Sequence, residues 1–155
     1  MFAGVALVLS ELPSELIERH GLRPRIHDRG GEPELRFLLH EAERVLPAWL
    51  DGRLRMVRWG NRRGQSRALP CTAWTWLATV EAGGWSALGG EPVVIPATFG
   101  LDRGVWYHVR EGVRGVAVRD EEGEPVVYVV CEPASHYYRV MTRSPWMPAL
   151  IGERI

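Results

Sequence analysis

The segment Val45–Leu50, Asp51-Gly52, Arg53–Trp59 constrains the fold more than any other part of the chain. Two β-prone runs of similar length are joined by Asp-Gly, a pair suited to a two-residue turn in which both positions take positive φ. The segment is therefore an antiparallel hairpin. The same grammar recurs along the sequence. Strands are predicted over Leu35–Leu39, Val93–Ile95, Val105–Val109, Gly115–Arg119 and Val126–Cys131, with loops at Gly30-Gly31-Glu32-Pro33 and Asp120–Pro125. Helical periodicity is confined to short stretches. Ser10–His20 places Leu12, Leu16 and Ile17 on one face and stops at Gly21, while Arg23-Pro24 forces extended chain. Thr72–Ala82 is predicted helical, capped by Thr72 and stopped by Gly83-Gly84, and a further short helix is predicted around Ser135–Met141. Strands outnumber helices and most connections are short. The expected fold is α+β: a single antiparallel β-rich domain over 1–155 with a few short helices.

Composition narrows the class. A chain of 155 residues buries about 68–70% of its unfolded surface and needs no disulfide or metal staple. Hydrophobic residues at 46% and charged residues at 25% exclude collagen-like, coiled-coil and disordered classes. No apolar run approaches the roughly 18 residues of a membrane span. The opening MFAGVALVLS lacks a basic flank and runs straight into Glu11, against a signal peptide, so a cytoplasmic protein is expected. The five histidines (His20, His27, His40, His108, His136) are scattered, and no phosphate-loop or dinucleotide-binding pattern occurs. Gly83-Gly84 and Gly89-Gly90 read as turns. No metal or cofactor is expected.

Charge is patterned rather than absent. The net charge is zero, all 19 basic residues are arginine, and there is no lysine. Between Asp51 and Pro70 lie Arg53, Arg55, Arg58, Arg62, Arg63 and Arg67 against Asp51 alone, a local balance of +6 − 1 = +5. Arginine forks suit phosphate oxygens, and Trp59 beside them could stack an unpaired base. The competing reading is a solvated surface with Trp59 in the core.

Nucleophile candidates are few. Cys71 follows a proline ahead of the predicted helix, where amide donors favour a thiolate. Most free cysteines are nonetheless small buried hydrophobes, and Cys131, at the end of an apolar strand, reads as one. Tyr137, Tyr138 and Trp146 in the tail read as core aromatics, with base contacts as the alternative.

Read together, several motifs resemble the SOS response-associated peptidase (SRAP) family, whose members shield abasic sites in single-stranded DNA. The opening MFAGVALVLSELPSELIERHGL is similar to the family's Met-Cys-Gly-Arg-Phe start and its short Glu-Leu-rich helix. RMVRWG at 55–60 resembles Met-Arg-Trp-Gly, and NRRGQS at 61–66 resembles Asn-Ala-Arg-Ala-Glu-Thr. VVIPA at 93–97 resembles Leu-Val-Pro-Ala, and WMPALI at 146–151 resembles Arg-Met-Pro-Val-Ile-Leu. The order matches over nearly the whole chain, with the segment ahead of the Pro-Ala strand shortened.

The departures fall on the chemistry. The family's N-terminal cysteine, whose amine and thiol close a thiazolidine on the abasic-site aldehyde, is replaced by Phe2, whose bulk also favours retention of Met1. The family's catalytic glutamate has no counterpart in PATFGLDRGVWYH, where Tyr107 or His108 falls nearest, and its histidine aligns with Ser144. The asparagine survives as Asn61. The resemblance implies binding of single-stranded or abasic DNA through Arg58, Trp59, Asn61, Arg62, Arg63 and Arg67, without a stable crosslink. Two alternatives stand beside it. One is an active SRAP-fold enzyme (crosslinking, lyase or autopeptidase) using the Met1 α-amine, or Cys71 with His108 or His136, with Ser144 a further candidate. The other is a phage- or mobile-element-related interaction module with no DNA role, whose arginines meet an acidic protein.

Overall fold

The apolar opening of the chain is a strand in the computed structural model, which describes residues 1–62 and 64–152. In chain order come β1 (Phe2–Val8), α1 (Ser14–Arg19), β2 (Ile26–His27), β3 (Glu34–Leu38), β4 (Val45–Leu50) and β5 (Arg53–Trp59). Then follow β6 (Trp74–Trp76), α2 (Leu77–Glu81), β7 (Glu91–Pro96), β8 (Phe99–Asp102) and β9 (Val105–His108). The chain closes with β10 (Gly112–Arg119), β11 (Pro125–Pro133), α3 (His136–Thr142) and β12 (Trp146–Pro148). The fold is β-rich α+β with short helices, as expected from the sequence.

The strands form two sheets. One has the order β2-β3-β1-β8-β9, antiparallel at every pairing. The other runs β10-β7-β4-β5-β11-β12, and a β10–β11 pairing closes its first five strands into a ring. Closure removes the exposed edges that an open sheet would leave.

β11 organises the ring. Its one edge carries β5 and then β6, both parallel to it; the other carries β10 and then β12, both antiparallel. Both faces are covered, which is why Val126–Cys131 is a continuous apolar run instead of an alternating one. Val127, Val129 and Cys131 enter the main core with Phe2, Val5, Leu35, Phe37, Trp59 and Ile95. Val126, Tyr128 and Val130 point the other way, into a second cluster with Leu69, Trp85, Val116 and Val118. The Asp-Gly turn forms as expected, with Asp51 at φ 54° and Gly52 at φ 76°.

The 72–82 segment departs from expectation. Trp74–Trp76 is a strand, and the helix is only Leu77–Glu81. The edge of β11 vacated where β5 ends offers backbone partners to Val129–Cys131, and Trp-Thr-Trp is a β-prone triplet that takes them. Gly60 permits the handover between β5 and β6. It sits at φ 68°, where a Cβ would lie 2.6 Å from both Ala73 Cα and the Thr72 carbonyl.

Candidate active site

The register of β1 on β8 places Asp102 opposite Phe2, with a bulge between Phe2 and Gly4. That register brings the Asp102 carboxylate to the start of the chain. The Met1 ammonium lies 3.0 Å from Asp102 Oδ1 and donates to Ser144 Oγ at 3.1 Å. Ser144 Oγ in turn donates to Asp102 Oδ1 at 2.6 Å. The second carboxylate oxygen, Oδ2, accepts from the Tyr138 hydroxyl at 2.7 Å, and Tyr138 shares a hydrogen bond of 3.2 Å with Tyr107. Asp102, Tyr138 and Ser144 are fully buried, whereas the Met1 side chain keeps 28% exposure. The amine is thus at the boundary between a closed polar network and solvent.

A buried carboxylate persists only with a charge partner and hydrogen-bond donors for its lone pairs. Asp102 has three donors from three elements: the chain start, α3 and the α3–β12 connection. The connection is itself held, since Thr142 Oγ1 donates to the Tyr138 carbonyl and accepts from Ser144 N. Trp74 Nε1 donates to the Phe2 carbonyl at 3.2 Å, so β6 fixes the backbone beside the amine.

The acid–base character of the surrounding groups is set by burial. Burial first, then the neighbouring Tyr107 and Asp102, push the Tyr138 phenol far up, so it stays a proton donor. Burial and the Asp102 charge push the Cys131 thiol up to about 12, so it is no nucleophile. A thiol-reactive dye should therefore label Cys71, which is exposed, within minutes and reach Cys131 only in denaturant. Two equally fast labelling events in the native protein would contradict that.

Of the residues singled out in the sequence, Met1 and Ser144 meet at this site, and Tyr107 stands one hydroxyl behind it. His108 does not join them: it is exposed and edge-on to Phe99 at 5.8 Å. His136 is exposed at the first turn of α3, and Cys71 is exposed next to Pro70, whose carbonyl accepts from the Tyr128 hydroxyl. Asp102 was hidden in the sequence as an ordinary acid before an Arg-Gly turn, and only the β1–β8 register reveals its partner.

The arginine strip is largely occupied by the protein itself. Arg58 pairs with Asp120 at 3.3 Å, and Arg62 donates to the carbonyls of Leu39, Glu41 and Ala42. Trp59 is 0% exposed, with Nε1 donating to the Ala73 carbonyl at 3.0 Å, which corrects the stacking role: the ring has no free face for a base. Asn61 is also buried. Its amide donates to the Ser66 and Leu69 carbonyls and accepts from Ser66 N, organising the 61–70 loop from within instead of facing a ligand. Arg67 is exposed, and Arg63 lies outside the described residues.

The Arg67 segment is clasped by an acid. Glu121 accepts from Ser66 Oγ, Ala68 N and Arg67 N, and these bonds hold its carboxyl at about 2. A folded value below the ordinary 4.5 means that the clasp is complete above pH 4.5 and is lost as pH falls through about 2. Protection of the Arg67 and Ala68 amides, relative to their intrinsic exchange at each pH, should fall as pH drops through about 2. Protection unchanged below pH 2 would contradict the clasp.

Among the described residues no group of three or more His, Cys, Asp or Glu side chains could hold a metal, and no helix is long and apolar enough to cross a membrane. No protein-family model matches the chain, and no curated protein or solved structure matches it either.

Proposed function

We propose that this protein captures the aldehyde of an abasic site in single-stranded DNA as a reversible imine on the Met1 α-amine. The observation that carries the reading is the Met1 ammonium set against a buried carboxylate that also holds two hydroxyl groups. The SRAP resemblance supplies the substrate, and the absence of a thiol at Phe2 supplies the reversibility.

The chemistry needs an amine that can lose and regain protons beside the aldehyde. Asp102 takes a proton from the ammonium, and the freed nitrogen lone pair attacks the aldehyde carbon. The carbonyl pair moves onto oxygen, which accepts the proton back from Asp102. Asp102 then takes a second proton from nitrogen and returns it to the departing hydroxyl, which leaves as water. The product is a protonated imine with the Asp102 carboxylate as its counter-ion. Ser144 and Tyr138 hold that carboxylate in one orientation throughout, and a positioned acid–base group of this kind contributes about 10²–10⁴-fold. Without a thiol on residue 2 no ring closes, and water reverses the reaction.

The test uses single-stranded DNA with one abasic site. Borohydride, which reduces the C=N bond to an amine, should give a protein–DNA band on a denaturing gel. The band should be absent without borohydride, absent with intact DNA, and abolished by a short N-terminal extension. No trapped band, or one that survives the extension, overturns the reading.

A further inference from the structure

Three non-glycine residues among those described have positive φ: Asp51, Arg103 and Arg143. Asp51 belongs to the Asp-Gly turn and is a residue type that tolerates the left-handed region. The two arginines are different. Arg103, at φ 47°, occupies the tight β8–β9 turn with Gly104 at φ 77°, a place suited to Asn or Gly. Arg143, at φ 62°, is the left-handed C-cap of α3, where Gly is the usual residue. Both therefore hold a side chain where the backbone favours none.

Their positions are not random. Arg103 directly follows Asp102, and Arg143 directly precedes Ser144, the two residues that hold the Met1 ammonium. Asp102 and Ser144 touch at 2.6 Å, so the two arginines flank one spot. Both are exposed, and neither makes an ion pair or side-chain hydrogen bond among the described residues. The ammonium and the carboxylate offset one another, so the two exposed arginines add positive charge beside the site in the chain.

An aromatic surface adjoins them. Trp76 keeps 40% exposure, and its ring lies 4.3 Å from that of Trp146, three residues beyond Arg143. Trp76 pairs in register with Cys131 on one edge of β11 and Trp146 with Pro133 on the other, so the two rings meet over β11.

We infer that Arg103 and Arg143 bind the phosphates on either side of the reacting sugar, and that Trp76, backed by Trp146, stacks a neighbouring base. This rests on the imine reading and extends it: the ligand is a phosphodiester strand laid across the amine, not along the 53–67 arginine strip. Guanidinium forks suit phosphate oxygens, and exposed indole faces accept any base. The cost of two left-handed arginines is explained by a role that glycine could not fill.

The double variant Arg103→Gly/Arg143→Gly tests this without endangering the fold, because glycine relieves both backbones; its melting temperature should equal or exceed that of the parent. Two trapping rates are compared, for an abasic oligonucleotide and for glyceraldehyde, a neutral aldehyde. Their ratio should fall at least tenfold in the double variant. Native binding to an unmodified oligonucleotide should lose about 1.4 from its log–log salt slope, since each single-strand phosphate contributes about 0.7. Trp76→Ala should weaken oligonucleotide binding about tenfold. An unchanged ratio and slope in a folded double variant overturns the phosphate role. Glyceraldehyde 3-phosphate trapped as fast as the oligonucleotide, with Trp76→Ala silent, overturns the strand in favour of a small phosphorylated aldehyde. Should the parent trap no aldehyde at all, the imine reading fails by itself, and the salt slope alone decides for or against the arginines.

Discussion

Asp102→Asn is expected to cost about 3 kcal/mol of folding stability and about a hundredfold in the rate of borohydride-trapped adduct formation. The two effects have separate origins. Folding depends on Asp102 because its carboxylate takes bonds from Met1, Ser144 and Tyr138, and an amide of the same shape cannot accept all three or balance the ammonium. Imine formation depends on it because an amide can neither take a proton from nitrogen nor return one to oxygen. Ser144→Ala and Tyr138→Phe each remove one donor to the carboxylate while leaving the proton acceptor in place. Each should cost about 1.5–3 kcal/mol, with a smaller loss of trapping rate. Denaturant midpoints and trapping time courses on the same samples separate the two quantities. An Asp102→Asn chain that traps at the parental rate would show the carboxylate to be a structural anchor only.

Trp59→Ala carries the largest purely structural effect, about 3–5 kcal/mol. The indole is fully buried, lies 6.1 Å from the Phe2 ring at a tilt of 57°, and bonds the Ala73 carbonyl. Removing it opens a cavity between the two sheets and takes away one of the two hydrogen bonds that carbonyl accepts, the other coming from Val129 N. Trp59→Phe should be milder, since most of the volume stays and chiefly the hydrogen bond is lost. The salt slope of nucleic-acid binding should not move in the folded Trp59→Phe chain, because the ring faces the core. A change in slope there, with less than about 1 kcal/mol lost by Trp59→Ala in denaturant titration, would return Trp59 to the surface role that its arginine-rich neighbourhood suggested.

Local signals carried much of the fold. Asp51-Gly52 specified its hairpin because both turn positions demand positive φ, and Gly21, at φ 60°, ends the α1 segment for the same reason. Ser135 caps α3 by accepting from Tyr138 N at 3.1 Å, as a serine ahead of a short helical pattern should. The failures came where distant partners decide. Trp74, Leu77 and Ala78 fit a helical face as well as a strand followed by a helical turn, and the free edge of β11 chose the latter.

The site shows the same division. Met1 and Ser144 were visible in the sequence as candidates, but an acid in Leu-Asp-Arg-Gly looks like any turn acid until β1 pairs with β8. The arginine strip meets the same limit. Charge density along the chain says nothing about which guanidinium groups are already engaged, and Arg58 and Arg62 are. Arg103 and Arg143 had no density to mark them; their left-handed backbones, which no residue pattern announces, distinguish them.

The absence of lysine makes the decisive measurement unusually clean. Within these 155 residues the α-amine of Met1 is the only primary aliphatic amine, so only one atom of the chain can form a reducible imine. The protein should be incubated with abasic single-stranded DNA, reduced with borohydride, digested, and the modified peptide located by mass spectrometry. One secondary amine is expected, on the nitrogen of Met1, in a yield that falls about a hundredfold in Asp102→Asn. Recovery of the N-terminal peptide unmodified from the parent protein, under conditions in which the DNA aldehyde is intact, would contradict it.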